Sequence, residues 1–248
     1  MIGYADKEGD PIHQETALRY GCNLYLPRLA GHGLVEKEPM LTLTADELLA
    51  SAREAIAVGK QLGNKVILMA TSTGGTLALY LAGGDPDIAG LLLYSPNVAI
   101  FDPNASLLAK PWGLQLARLV KGGDYHEFEK ITETDRKYWT TKYRVEALTQ
   151  LQVLVDETMN EETFNKVQQP VLLGYYYRDE IHQDSTVSVP AMLQMFEELG
   201  TPANQKRKVA FPDVGAHVMA SYITSKDLES VRQETQSFLE NILGLQPK

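Results

Sequence analysis

The chain has 248 residues, 44% of them hydrophobic and 22% charged, with a formal net charge of −9. This length suits one α/β domain, and the negative charge argues against nucleic acid and anionic membrane surfaces as partners. The single cysteine, Cys22, excludes an internal disulfide, and we expect it to be a small core residue.

No apolar run is long enough to cross a membrane, so we expect no integral membrane segment. The residues after Met1 include two glycines and several charged side chains, and they form no apolar run like that of a signal peptide. We therefore expect a cytoplasmic location.

The first part of the chain alternates between helical and strand patterns. Thr44 and Glu47 form a capping box that begins an amphipathic helix, which ends at Gly63. The periodicity predicts a helix over 12–20, a strand over 22–26, a helix from 44, a strand over 65–70, a helix ending at 82 and a strand over 90–95.

Residues 97–168 contain no clear strand and several helical patterns, namely 107–120, 124–131, 144–155 and 161–167. The alternation then resumes with a strand over 171–177, a helix over 189–199, a strand over 208–211 and a helix over 225–243. We predict an α/β core formed by 1–96 and 169–248, with 97–168 inserted as a helical lid. A separate small helical domain is the alternative. The apolar strands predict a mostly parallel sheet with helices on both faces.

Ser72 lies where a buried strand turns into a helix, in the sequence Ala-Thr-Ser-Thr-Gly over 70–74. This pattern is typical of a nucleophile elbow, G-x-S-x-G, with alanine as the smallest replacement for the first glycine. The helix N-terminus beside the serine favours negative charge. Taken alone, the pattern also fits a nucleotide-binding turn or a serine that only caps the helix.

A serine nucleophile requires a base and a group that orients the base. His217 follows the last predicted strand, and Asp179 ends the strand that begins at Pro170. Alone, Asp179 fits an ordinary acidic turn. Together, Ser72, Asp179 and His217 lie at the carboxyl ends of three strands in the order Ser, Asp, His, which is the order of α/β-hydrolases.

Four motifs carry a resemblance from about residue 12 to the end of the chain. They are P-x-x-x-G-H-G at 27–33, the elbow at 70–74, P-V-L-x-x-x-G-x-x-D at 170–179, with Tyr176 where glycine is usual, and the glycine–histidine motif at 215–217. In this order they resemble the α/β-hydrolases of the lidded carboxylesterase and monoacylglycerol-lipase type.

The resemblance implies a carboxylic ester hydrolase that acts on a short or medium acyl ester or a monoacylglycerol. It implies Ser72 as nucleophile, His217 as base and Asp179 as the acid that orients it. The oxyanion donors would be the backbone N–H groups of Thr73 and Tyr4. No cofactor or metal is implied, and the expected partner is a small-molecule ester.

The N-terminal segment departs from the family, whose members have three strands before the helix that matches 12–20. Only 11 residues precede that helix here, and the histidine of the usual H-G-x oxyanion turn is absent beside Tyr4. Three explanations remain: missing upstream residues, which we expect, direct pairing of the strands at 22–26 and 65–70, or an inactive member. A non-catalytic binding protein and an amidase or thioesterase with the same triad are therefore the alternative functions.

Overall fold

The computed structural model describes residues 11–128 and 132–248. Its helices are α1 (Pro11–Tyr20), α2 (Ala45–Leu62), α3 (Thr73–Ala82), α4 (Gly113–Lys121), α5 (Glu133–Tyr138), α6 (Glu146–Thr158), α7 (Glu161–Lys166), α8 (Val189–Glu198) and α9 (Leu228–Asn241). Its strands are β1 (Val66–Thr71), β2 (Ile88–Tyr94), β3 (Tyr125–Glu127), β4 (Lys142–Arg144), β5 (Val171–Tyr175) and β6 (Lys206–Ala210). Short 3-10 helices span Pro103–Ala109 and Ala203–Gln205.

The four longer strands form a parallel sheet in the order β1-β2-β5-β6. At its carboxyl edge, Thr71 pairs with Tyr94, and Tyr94 pairs with Gly174. The loops after β1, β2 and β5 therefore begin side by side. The predicted fold class, a parallel α/β sheet with helices on both faces, is confirmed.

The central strand β2 shows why both faces of the sheet are covered. Leu91 and Leu93 face a core cluster that includes residues of α3 and α8, whereas Leu92 faces a cluster that includes residues of α1 and α9. All three side chains are fully buried. Because successive strand residues point to opposite faces, a strand buried on both sides has an unbroken apolar sequence. Burial of each leucine contributes about 1.5–3 kcal/mol relative to exposure.

The capping box predicted at the start of α2 is present. The Glu47 N–H donates to Thr44 Oγ1 over 3.2 Å, and the Thr44 N–H donates to Glu47 Oε2 over 3.0 Å. These bonds satisfy two backbone donors that the helix itself leaves unpaired, and such a cap stabilises a helix by about 1 kcal/mol. Leu48 and Leu49 of the same helix pack against residues of α3 and α6.

The prediction of a strand over 22–26 is wrong. These residues belong to no strand, and within the described ranges β1 forms the edge of the sheet. Cys22 is exposed rather than part of the core, and Leu24 and Tyr25 are each 38% exposed. A β-prone sequence becomes a strand only when a neighbouring strand pairs with its N–H and C=O groups.

Residues 97–168 also differ from their prediction, because they contain the antiparallel hairpin β3–β4. The helix predicted over 124–131 is wrong where the structure describes it, since β3 lies there; residues 129–131 are outside the described ranges. The helix predicted over 107–120 is divided into a 3-10 helix and α4. Pro111 explains this break, because a proline disfavours the helical conformation in the residue before it.

The helices predicted near 144–155 and 161–167 are present as α6 and α7. Across the described part of the chain, no helix combines the length and the apolar character needed to cross a membrane.

Candidate active site

Ser72 occupies a strained turn between β1 and α3. Its backbone has φ 54° and ψ −124°, a conformation that residues other than glycine rarely adopt. Such conformations cost about 1–3 kcal/mol and persist where the surroundings impose them. The Ser72 side chain makes no capping hydrogen bond to α3, so the reading of Ser72 as an ordinary N-cap does not describe it.

Backbone hydrogen bonds hold this turn in place. The Ser72 N–H donates to the Tyr94 carbonyl over 3.1 Å, and the Ser72 carbonyl accepts from the N–H of Gly75 over 2.8 Å and of Asn97 over 3.0 Å. A Cβ on Gly75 would lie 2.5 Å from Cβ of Pro96, which is too close for two carbon atoms. The elbow is therefore fixed from two sides, by the carboxyl end of β2 and by the first turn of α3.

The N-terminus of α3 can stabilise a negative charge beside Ser72. Thr73 is the first residue of the helix, where backbone N–H groups have no acceptor within the helix itself. The helix dipole adds positive potential at the same place. Tyr4, which we predict as the second oxyanion donor, lies outside the described residues.

His217 lies in the loop after β6, and its side chain is 16% exposed. The Nδ1–H group donates to Asp184 Oδ2 over 2.7 Å. The other ring nitrogen, Nε2, is buried and has no hydrogen-bond partner within the described residues. The hydrogen bond at Nδ1 fixes the tautomer, because a neutral imidazole that donates through Nδ1 presents Nε2 as an acceptor. Nε2 is therefore available to accept a proton.

The side chain of Asp184 is fully buried. Its Oδ1 accepts from the backbone N–H groups of Thr186 over 2.9 Å and Val187 over 3.1 Å, while Oδ2 accepts from His217. Burial alone would raise the pKa of this carboxyl, but the hydrogen bonds from His217 and Thr186 hold the pKa below its ordinary value. Asp184 is therefore ionised at neutral pH, and its carboxylate accepts from the imidazole of His217.

The prediction that Asp179 orients His217 is contradicted by this geometry. Asp179 is exposed, and its carboxylate contacts His182, with Oδ1 accepting from Nδ1 over 2.9 Å. The hydrogen bond from His182 lowers the pKa of Asp179. The chain turns back after β5, so that Asp184, five residues later, reaches His217 in its place.

Two features of the sequence distinguish Asp184 from Asp179. Asp179 lies in the polar run Arg-Asp-Glu over 178–180, whereas Asp184 shortly precedes Val187 and Val189, which return the chain to the core. A carboxylate on that returning segment is the better candidate for a buried partner. Asp179 is the aspartate nearer to the end of the predicted strand. Position alone therefore favours Asp179, although the apolar residues after Asp184 point to Asp184.

The three remaining histidines are each in contact with groups other than Ser72 and Asp184. His13 is buried in α1 with its ring edge-on to Tyr94, His32 Nδ1 donates to the Ala30 carbonyl, and His126 lies among aromatic rings of the β3–β4 hairpin. Within the described ranges, no group of three histidine, cysteine or acidic side chains is placed to hold a metal ion.

Known proteins resemble this chain in sequence and in fold. An 86-residue stretch is 38% identical to the thermostable monoacylglycerol lipase of Bacillus sp. (strain H-257), covering 35% of this chain and 34% of that protein. The matched stretch thus spans about a third of that relative's length.

Two solved structures share the fold at lower identity. The structure reported for LipS and LipT, two metagenome-derived lipolytic enzymes, has a TM-score of 0.67 and 18% identity, over 87% of this chain and 80% of that one. A monoacylglycerol lipase of Paleococcus ferrophilus has a TM-score of 0.55 and 15% identity, over 80% of this chain and 76% of that one. Residues 9–227 match the Alpha/beta hydrolase family, and the chain therefore belongs to that family.

Proposed function

We propose that the protein is a serine hydrolase that cleaves carboxylic esters through an acyl-enzyme, with Ser72 as nucleophile, His217 as base and Asp184 as the orienting acid. The observation that carries the proposal is the hydrogen bond of 2.7 Å between His217 and the buried Asp184, at the sheet edge where Ser72 occupies its strained turn. The monoacylglycerol lipase similarity supports an acyl ester as substrate.

The proposed reaction begins when Ser72 Oγ attacks the ester carbonyl and His217 Nε2 takes the hydroxyl proton. The carbonyl oxygen becomes an oxyanion, which the Thr73 N–H and the N-terminus of α3 stabilise. His217 then protonates the leaving alcohol as the ester bond breaks. A water molecule, deprotonated by His217, attacks the acyl-enzyme carbonyl. The imidazolium then returns the proton to Ser72 Oγ as the bond to the acyl group breaks and the carboxylic acid leaves. Asp184 stabilises the imidazolium in both halves of the reaction.

Nε2 of His217 has no hydrogen bond to Ser72 Oγ among the described residues. The lack of this hydrogen bond is compatible with the mechanism, because catalytic hydrogen bonds are often long in the free enzyme and shorten when substrate binds. The buried, unpaired Nε2 is the acceptor that the mechanism needs.

We also propose that residues 97–168 cover the site as a lid on a core formed by 1–96 and 169–248. Arg144 of β4 supports this division, since it joins the two parts. Its Nη1 donates to Glu38 Oε2 over 2.9 Å, and its N–H donates to the Pro39 carbonyl over 3.0 Å. The same side chain binds Glu146 of α6 over 2.8 Å. The insertion is thus anchored to the loop before α2.

We propose a cavity of about 340 Å³ in the insertion as the place of the acyl group, although Ser72 and His217 are not among the residues that line it. It lies between the segment after β2 and helix α6, and it begins at Val98. The preceding residue, Asn97, donates its N–H to the Ser72 carbonyl. The lining residues all belong to the insertion, and their apolar members include Ile100, Val155 and Met159.

Hydrolysis of p-nitrophenyl esters of increasing acyl length tests the proposal. We expect activity on short and medium esters, and we expect the Ser72→Ala variant to lose it while remaining folded. Ser185→Ala, which changes an exposed serine, is the matched control and should keep full activity. Full activity in Ser72→Ala would refute the nucleophile, and a folded wild type without activity on esters, amides or thioesters would favour a binding protein.

A further inference from the structure

The turn that follows β5 is organised by the side chain of Asp179. Its Oδ1 accepts hydrogen bonds from the backbone N–H groups of Ile181 over 2.9 Å and His182 over 2.8 Å. The ring of His182 donates to the same carboxylate. An aspartate that binds N–H groups two and three residues ahead closes an Asx turn. The carboxylate that the sequence pattern assigns to catalysis is thus hydrogen-bonded to the backbone of its own turn.

Once this turn is closed, the chain runs back along the three residues that follow β5. The Arg178 N–H donates to the His182 carbonyl over 2.9 Å, Tyr177 forms an antiparallel bridge with Gln183, and the Asp184 N–H donates to the Tyr176 carbonyl over 3.1 Å. These three contacts form a short ladder whose closed end is the Asp179 turn. The position of Asp184 therefore follows from the register of the ladder.

A second contact joins this turn to the loop that carries His217. The Arg178 guanidinium is paired with the carboxylate of Asp213, with side chains 51% and 63% exposed. Exposed ion pairs contribute little, because water and salt screen them. The Asp179 turn, which binds the backbone directly, should therefore have the larger effect on where Asp184 lies.

We propose that Asp179 is a positioning residue, whose carboxylate oxygen closes the turn that brings Asp184 to His217. This inference rests on the proposed function, in which Asp184 orients the base. It assigns the two aspartates of the loop different tasks, one holding the backbone and one contacting the imidazole. The turn needs an acceptor at Asp179 and no negative charge, which makes the inference testable with an isosteric amide.

The test compares Asp179→Ala, which removes the acceptor and the charge, with Asp179→Asn, which keeps an acceptor oxygen. Glu180→Ala is the matched control, because Glu180 is an exposed acid of the same turn whose side chain binds only Tyr177 among the described residues. We expect Asp179→Ala to lower kcat about tenfold with KM unchanged, since Asp184 acts on the transition state and not on substrate binding. Asp179→Asn and Glu180→Ala should stay within about twofold of wild type.

The pH profile separates positioning from general loss of structure. An ionised carboxylate beside an imidazole favours the protonated ring, so displacement of Asp184 should move the acidic limb of kcat/KM to lower pH. We expect this movement in Asp179→Ala and in Asp184→Asn, and not in Asp179→Asn. A loss of folded protein would lower the whole curve without moving it.

The downfield proton resonance of the His217 Nδ1–H group gives a readout that does not depend on ester hydrolysis. It should be weakened or absent in Asp179→Ala and retained in Asp179→Asn. Wild-type kcat, pH profile and resonance in Asp179→Ala would overturn the inference while leaving the proposed function intact. If Asp179→Ala does not fold, an Asp179→Asn variant as impaired as Asp184→Asn would overturn it. Full activity in Ser72→Ala would instead contradict the proposed function, and the resonance would still decide the role of Asp179.

Discussion

Replacement of Asp184 by asparagine should remove most of the activity with little change in the fold. In the structure, Asp184 Oδ1 accepts from two backbone N–H groups, over 2.9 and 3.1 Å, and Oδ2 accepts from His217 Nδ1 over 2.7 Å. The asparagine oxygen would keep the two backbone bonds, so its NH₂ group would face the imidazole. Nδ1 would then have to act as acceptor, and the ring proton would move to Nε2.

A protonated Nε2 cannot take the Ser72 proton. In the general template of a serine triad, this exchange of tautomers lowers kcat about 10⁴-fold, which corresponds to about 5.5 kcal/mol of lost transition-state stabilisation. We expect a loss of this order for Asp184→Asn. Because the backbone hydrogen bonds remain, the urea midpoint of unfolding should change little.

Steady-state hydrolysis of a p-nitrophenyl ester by Asp184→Asn and Asp179→Asn measures the contrast directly. We expect a large loss of kcat in the first variant and near wild-type kcat in the second. The reasoning is refuted if Asp184→Asn stays within tenfold of wild type, and the sequence prediction is restored if Asp179→Asn carries the large loss.

Two further predictions concern the elbow and the hairpin. Gly75→Ala should destabilise the protein by about 1–3 kcal/mol in urea unfolding, because the new Cβ would lie 2.5 Å from Pro96; Gly123→Ala, where a Cβ meets no atom within 4 Å, is the control. Equal stability of the two variants would contradict this. Burial lowers the pKa of His126 from 6.5 to about 4, so the unfolded chain binds a proton more readily than the folded protein. The free energy of unfolding should therefore fall as the pH falls from about 6.5 to about 4. His126→Phe should lose less stability than wild type between these pH values, and parallel pH curves would refute the assignment.

Much of the fold could be predicted because local signals and packing agree. The capping box at Thr44 begins α2 where predicted, and the apolar run over 65–70 forms β1 within one residue. The secondary-structure predictions fail where a strand-prone segment has no neighbouring strand to pair with, or where a proline interrupts a helical pattern. The segment 22–26 has strand preference but joins no ladder in the described structure, and Pro111 divides a helical pattern.

The candidate site divides in the same way. The place of Ser72 could be predicted because a strand, a tight turn and a helix follow one another in the sequence, and the place of His217 because it follows the last strand. The acid could not be chosen from position alone. Whether Asp179 or Asp184 reaches His217 depends on a turn and a short ladder of backbone hydrogen bonds, neither of which hydrophobic periodicity reports.

The central claim is that Ser72 is an activated nucleophile. Labelling of the purified protein with a fluorophosphonate, followed by intact-mass measurement and peptide mapping, tests it most directly. We predict a single adduct on Ser72, no adduct in Ser72→Ala, and slow labelling in Asp184→Asn. An unlabelled but folded wild type, or an adduct that persists in Ser72→Ala, would contradict the account.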